Sequence, residues 1–157
     1  MADDDERRAH SRELCLTRVI DAPRAVVFAV WTTPEHLSEW WGPTGFTLPD
    51  CEMDFREGGA FRFHMRAPSG EDHWLRGVFR EIVEPERLVF TFAWGTAERA
   101  TGPETLVTVT LEEIGGKTKL TLRQTGLESD TSTREHSDGW AEQLDRLAAY
   151  APATRIG

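Results

Sequence analysis

Reactive side chains are present in this sequence, but few stand at the spacings that chemistry needs. The five histidines are His10, His36, His64, His73 and His136. A protein zinc site wants ligands paired as in HExxH or HxH, and neither pairing occurs. The two cysteines, Cys15 and Cys51, are not adjacent to any histidine, and they fall in strand patterns where cysteine acts as a small apolar filler. His64 and His73 stand nearly opposite each other across a turn at Pro68-Ser69-Gly70. His64 shares a face with Arg62 and Arg66, so solvent is its expected destination. No metal site is expected. No G-x-S-x-G elbow presents a serine nucleophile. Gly58-Gly59 lies between two strand patterns and cannot offer a helix N-terminus to a phosphate. No nucleotide fingerprint and no cofactor are expected. Acid–base catalysis in a cavity needs an inward carboxylate, histidine or tyrosine. Asp50, Glu52 and Asp54 share one strand phase with Phe46 and Leu48, while Cys51, Met53 and Phe55 take the other. The pattern does not fix which phase faces inward, and the three acids are expected to face water. The single tyrosine, Tyr150, ends the last helix. No residue is assigned a catalytic role.

Binding is better supplied than catalysis. The chain holds 6 Trp and 8 Phe against 1 Tyr. Phe61, Phe63, Met65, Phe79, Phe90, Phe92 and Trp94 fall on the apolar phase of three consecutive strands. Trp140 and Leu144 come from the helix that should face them. Two readings fit this set. The aromatics form a solid core, or they line a cavity for a flat or greasy ligand, since binding sites are mostly apolar with few polar anchors. Gly139 costs about 1 kcal/mol against alanine inside a helix. That cost points to a need for room, either for close helix–sheet packing or for a ligand.

The elements that must position these residues follow from period and punctuation. Leu14 to Ile20 alternates as a first strand. Asp21 is expected to cap a helix carrying Val26, Val27, Val30 and Trp31, with Pro23 in its first turn. Thr33 is expected to cap a second short helix, which carries Leu37, Trp40 and Trp41 and stops at Gly42-Pro43. About six strands follow, joined by short turns. From about Thr133 to Tyr150 the period changes to that of one amphipathic helix. The expected fold class is α+β, a curved antiparallel sheet in the order β-α-α-β-β-β-β-β-β-α around a long C-terminal helix. The expected organisation is a flexible charged tail over 1–12 and one domain over 13–152. Its net charge is 18 − 27 = −9, which disfavours nucleic acid and anionic membrane surfaces. No apolar run approaches the ~20 residues of a membrane span, and the N-terminus does not read as a signal peptide. A cytoplasmic location is the default expectation.

Four segments carry a resemblance. They are Asp21-Ala22-Pro23-Arg24 with Val27-Phe28, then Trp40-Trp41-Gly42-Pro43, then Asp54-Phe55-Arg56-Glu57-Gly58-Gly59, then Pro85-Glu86-Arg87-Leu88-Val89-Phe90-Thr91. Gly139-Trp140, with Leu144 and Leu147, completes the pattern. In order and spacing these resemble the START-like (SRPBCC, helix-grip) superfamily. Within it they are similar to the family named after the C-terminal domain of the activator of the heat-shock-ninety ATPase. The resemblance implies a cavity between sheet and last helix, with Trp41 closing one end. The expected function is binding of an apolar or aromatic small molecule or lipid, without evident catalysis. Two alternatives are a co-chaperone-like interaction domain with a stress-response role and a cyclase- or hydratase-type enzyme using the same cavity. An interaction surface would need exposed apolar groups, and Trp40 and Trp74 are the candidates. Expected partners are a hydrophobic small molecule or lipid, with a chaperone or a second copy of the chain as further possibilities.

Overall fold

A computed structural model describes residues 12–154. The expected tail therefore lies outside the described residues except for Arg12. That residue is tied down, its Nε 3.0 Å from the Asp130 carboxylate.

Ten elements precede a closing single 3-10 turn, Ala151–Ala153. In chain order they are β1 (Glu13–Ile20), α1 (Arg24–Thr32), α2 (Pro34–Trp40), β2 (Thr47–Met53), β3 (Ala60–Arg66), β4 (Asp72–Val83), β5 (Arg87–Gly95), β6 (Thr105–Ile114), β7 (Lys117–Thr125) and α3 (Asp130–Tyr150). The strands form one 7-stranded antiparallel sheet in the order β1-β7-β6-β5-β4-β3-β2. Strands two to seven form a meander, joined by turns except for the longer loop 96–104 between β5 and β6, and β1 pairs along its length with β7, from Glu13 opposite Thr125 to Ile20 opposite Thr118. This is the α+β helix-grip architecture expected from the sequence.

Alternation fills the inner face. Val107, Val109 and Leu111 of β6 and Leu120 and Leu122 of β7 are buried, while their neighbours face out. Trp140, Leu144 and Leu147 bring α3 into the same core. Polar ties set its placement. Arg18 of β1 reaches Asp145 at 3.0 Å, and the Arg146 guanidinium donates to the carbonyls of Trp41, Gly42 and Pro43.

Several boundaries differ from expectation. Asp21 does not cap α1. The cap position is Pro23, in extended backbone, whose carbonyl accepts from the N–H groups of Val26 and Val27. Thr33 does precede α2, but its side chain makes no capping bond, and Pro34 at the first helical position removes one donor that would need it. The last helix starts at Asp130 because Ser129 caps it, accepting from the Ser132 N–H at 3.0 Å.

Two register shifts decide what the alternation left open. One, between Thr47 and Asp50 in β2, lets Leu48 point inward and then hands the inner face to Cys51 and Met53. Asp50 and Glu52 consequently face out, where both meet Arg62, at 3.5 and 3.0 Å. The other, between Phe79 and Glu81 in β4, puts Leu75 and Phe79 inward and then Ile82. Gly77 lies just before it; a Cβ there would collide with the Thr91 carbonyl oxygen and the Phe61 ring.

The outer face of β3 and β4 carries its own cluster. His64 and Trp74, register partners, stack with centroids 4.3 Å apart, and Arg62 lies 5.1 Å from the Trp74 ring. His64 and Arg66 both bond the Asp72 carboxylate, at 2.8 and 3.1 Å. These bonds, the His64 one first, hold Asp72 below its ordinary value of 3.8. A depressed acid adds stability above its unfolded pKa and loses it as pH falls through the folded one. The Asp72 carboxyl is thus expected to titrate below 3.8 in an NMR pH series, and the His64→Leu variant to move it upward. An unchanged midpoint in that variant would remove His64 as the cause.

Candidate ligand cavity between the last helix and the sheet

The space between α3 and the sheet divides into a filled half and an open half. In the filled half, aromatic rings pack on one another. Phe61 meets Phe63, Phe79 and Phe90 with centroids 4.9, 5.3 and 5.6 Å apart. The void left there, with Trp31, Leu37 and Trp41 also on its walls, is about 10 Å³, at the lower limit for a single water. In the open half lies a cavity of about 310 Å³. The sheet supplies Met65, His73, Leu75, Phe92 and Trp94 to its wall. The helix supplies Glu135, His136, Gly139, Trp140 and Gln143, and the segment after α2 supplies Trp41, Pro43 and Phe46.

Six of the residues singled out in the sequence thus come together on this cavity: Trp41, Met65, Phe92, Trp94, Gly139 and Trp140. Phe61, Phe63, Phe79 and Phe90 do not line it; they are the packed core beside it. Leu144 is fully buried in the core and also leaves the cavity wall. The aromatic phase is divided between a packed half and the wall of an open space. At Gly139 close packing is absent. An added Cβ would meet nothing within 4 Å, so the glycine borders open space.

Other wall residues were missed by a reading confined to apolar positions. His73 shares the strand phase of Leu75. His136 and Gln143 fall four residues before and three after Trp140, on one helical face. A wheel drawn through Trp140 with polar residues kept would have found both.

The polar groups at the wall are mostly engaged. Trp94 Nε1 donates to His136 Nε2 at 3.1 Å, and His136 Nδ1 lies 2.8 Å from the Ser132 carbonyl oxygen. An indole N–H can only donate, so Nε2 accepts and Nδ1 takes the donor role toward the carbonyl oxygen. Trp140 Nε1 donates to Gln124 Oε1 at 2.9 Å, Gln124 Nε2 to Thr105 Oγ1 at 2.8 Å, and Thr105 Oγ1 to the Phe92 carbonyl at 2.8 Å. That chain is buried and complete. Breaking it leaves the buried Trp140 N–H unmatched and takes one of the two bonds of the Thr105 hydroxyl, so Gln124→Leu is expected to cost about 1–3 kcal/mol in urea denaturation. A neutral result would show that the chain adds nothing. Two wall donors are different: Trp41 Nε1 and Gln143 Nε2 are buried without a partner among the described residues, and Gln143 is 5 % exposed.

Four tryptophans brace the cavity's inner end. Trp31, Trp40, Trp41 and Trp140 are all buried, with Trp31–Trp40 centroids 4.8 Å apart and Trp41–Trp140 5.5 Å apart. Trp40, expected as a surface candidate, is fully enclosed and donates to the Val30 carbonyl at 2.9 Å. Trp74 sits on the outer face, half-buried under His64 and Arg62. Burial, with Asp50 and Glu35 nearby, pushes the Cys51 thiol up to about 12, which makes it a poor nucleophile. Among the described residues no three His, Cys, Asp or Glu side chains gather as metal ligands, and no helix is long and apolar enough to cross a membrane.

Solved structures share this architecture. Protein CV1439 from Chromobacterium violaceum is 27% identical, with a TM-score of 0.79 over 90% of this chain and 98% of that one. The AHSA1 protein from Silicibacter pomeroyi is 27% identical, with a TM-score of 0.80 over 88% and 96%. Protein NE0264 from Nitrosomonas europaea is 26% identical, with a TM-score of 0.76 over 87% and 92%. No curated protein matches this chain. Residues 21–151 match the model of the family described as activator of Hsp90 ATPase homolog 1-like protein. The Trp40-Trp41-Gly42-Pro43 corner, the Gly58-Gly59 turn and the Gly139-Trp140 helix face all fall inside that span, and the chain belongs to this family.

Proposed function

We propose that this protein binds an apolar or aromatic small molecule in the cavity between α3 and the sheet. One observation carries the reading: beside a core that aromatics fill almost completely, a space of about 310 Å³ stays open and is walled by Trp41, Phe92, Trp94 and Trp140. Its size sits at the lower end of the ~300–1,000 Å³ typical for drug-sized ligands. That favours one compact molecule over a two-chain lipid. Catalysis finds less support. His136 holds both ring nitrogens in bonds to Trp94 and Ser132, so neither is free to move a proton. The co-chaperone reading rests mainly on the family description, since Trp40 is enclosed and Trp74 is half-covered by His64 and Arg62. Native mass spectrometry of gently purified protein is expected to show a bound small molecule. A thermal-shift panel of lipids and aromatics is expected to favour compact aromatics. An empty protein that no compound in the panel stabilises would end the proposal.

A further inference from the structure

Two residues of the cavity wall, Trp41 and Gln143, hold a buried donor with no partner among the described residues, and only at Gln143 does aromatic packing not explain the side chain. Gln143 is 95 % buried, since only 5 % is exposed, and its Nε2 has no partner. The neighbouring amide, Gln124, is bonded at both ends. A buried donor without a partner is destabilising, and leucine would fit the same helical position without that cost. The amide's terminal torsion is soft, so the N–H₂ group can turn to the cavity with the stem in place. The wall also has a charge signature. Among the described residues it contains no lysine or arginine, and its one carboxylate is Glu135. An anionic headgroup would enter without a counter-charge, in a protein of net charge −9.

We infer that Gln143 is the cavity's polar anchor and that the ligand is a neutral, planar aromatic bearing a hydrogen-bond acceptor such as a carbonyl. This rests on the cavity being a binding site. The aromatic walls take the ring faces, the Gln143 amide takes the acceptor, and Glu135 with no lysine or arginine beside it selects against carboxylates and phosphates. Gln143 then acts on selectivity more than on uptake.

Fluorene and 9-fluorenone test this, because they are near-isosteric and differ by one carbonyl. Binding is read by quenching of tryptophan fluorescence in the full chain. One net hydrogen bond corresponds to roughly 2- to 12-fold in affinity. The wild-type protein is expected to prefer fluorenone by that factor and to bind fluorene-9-carboxylate weakest. Gln143→Leu is expected to bind fluorene and fluorenone equally, losing the preference. Its ligand-free Tm is expected to rise by about 2–4 °C as the unmatched amide is removed. Fluorene and fluorenone binding equally to wild type would overturn the inference and spare the cavity. So would a preference that survives Gln143→Leu, or a lower Tm in that variant. If neither compound binds wild type, the cavity reading falls and the inference with it.

Discussion

Gly139→Phe is expected to abolish uptake of a hydrophobic fluorophore while the protein stays folded. Gly139 stands on the cavity face of α3, with no atom within 4 Å of where a Cβ would be. A phenyl ring there occupies the space itself. The backbone gains rather than suffers, because glycine inside a helix is about 1 kcal/mol worse than alanine. Gly139→Ala separates the two effects. It is expected to stabilise the fold by about 0.5–1 kcal/mol and leave most of the space open. Forcing a ligand in beside the phenyl ring is an overpacking problem costing about 1–3 kcal/mol. An affinity loss of about 5- to 150-fold is therefore expected for Gly139→Phe. Fluorescence titration measures it, with circular dichroism as the control for folding. Unchanged affinity in a folded Gly139→Phe protein would place the ligand elsewhere.

Trp40→Ala is expected to be the costlier change for the fold. The indole is fully buried, its ring centroid lies 4.8 Å from that of Trp31 and 5.4 Å from that of Trp41, and its N–H closes on the Val30 carbonyl. Truncation removes a large ring from a packed corner and orphans that carbonyl. Losses of about 3–5 kcal/mol are typical of such changes. Against a total stability of roughly 5–15 kcal/mol, the variant stands near unfolding. The cavity suffers too, because Trp41 and Trp140, packed in the same cluster, form its inner end. Trp40→Phe keeps most of the packing and loses the bond, at about 1–2 kcal/mol. Urea denaturation ranks the two. A Trp40→Ala loss below about 1 kcal/mol would mean that the corner is not packed as described.

Much of this was legible in the sequence because the sheet is regular. Phe61, Phe63 and Met65 alternate with Arg62, His64 and Arg66, and the structure keeps that division. The residues near the shifts in β2 and β4 were not legible, since one extra residue reverses the phase of everything beyond it. Trp40 and Trp41 show a related difficulty. Neighbouring residues of one helix cannot share a face, yet both indoles are buried. The helix ends at Trp40, and Trp41 continues in extended backbone, which turns its side chain inward as well. The cavity was half legible. Composition marked its aromatic walls, but the open volume depends on how far α3 stands off the sheet, a global quantity. Its polar members escaped because His73, His136 and Gln143 break the apolar pattern that marks an inner face. Gly139 was singled out for the right physical cost, and the structure assigns the room it leaves to the cavity.

The six tryptophans provide the most direct test of ligand binding in this cavity. Each indole N–H gives its own signal in a nitrogen–proton correlation spectrum, and the six occupy distinct places. Titration with 9-fluorenone is expected to shift Trp41, Trp94 and Trp140, which line the cavity. Trp31 and Trp40, behind it, are expected to move less. Trp74, on the outer face of the sheet, is expected to stay still. A spectrum in which Trp74 moves and Trp94 and Trp140 do not, or in which nothing moves at saturating ligand, would contradict the account.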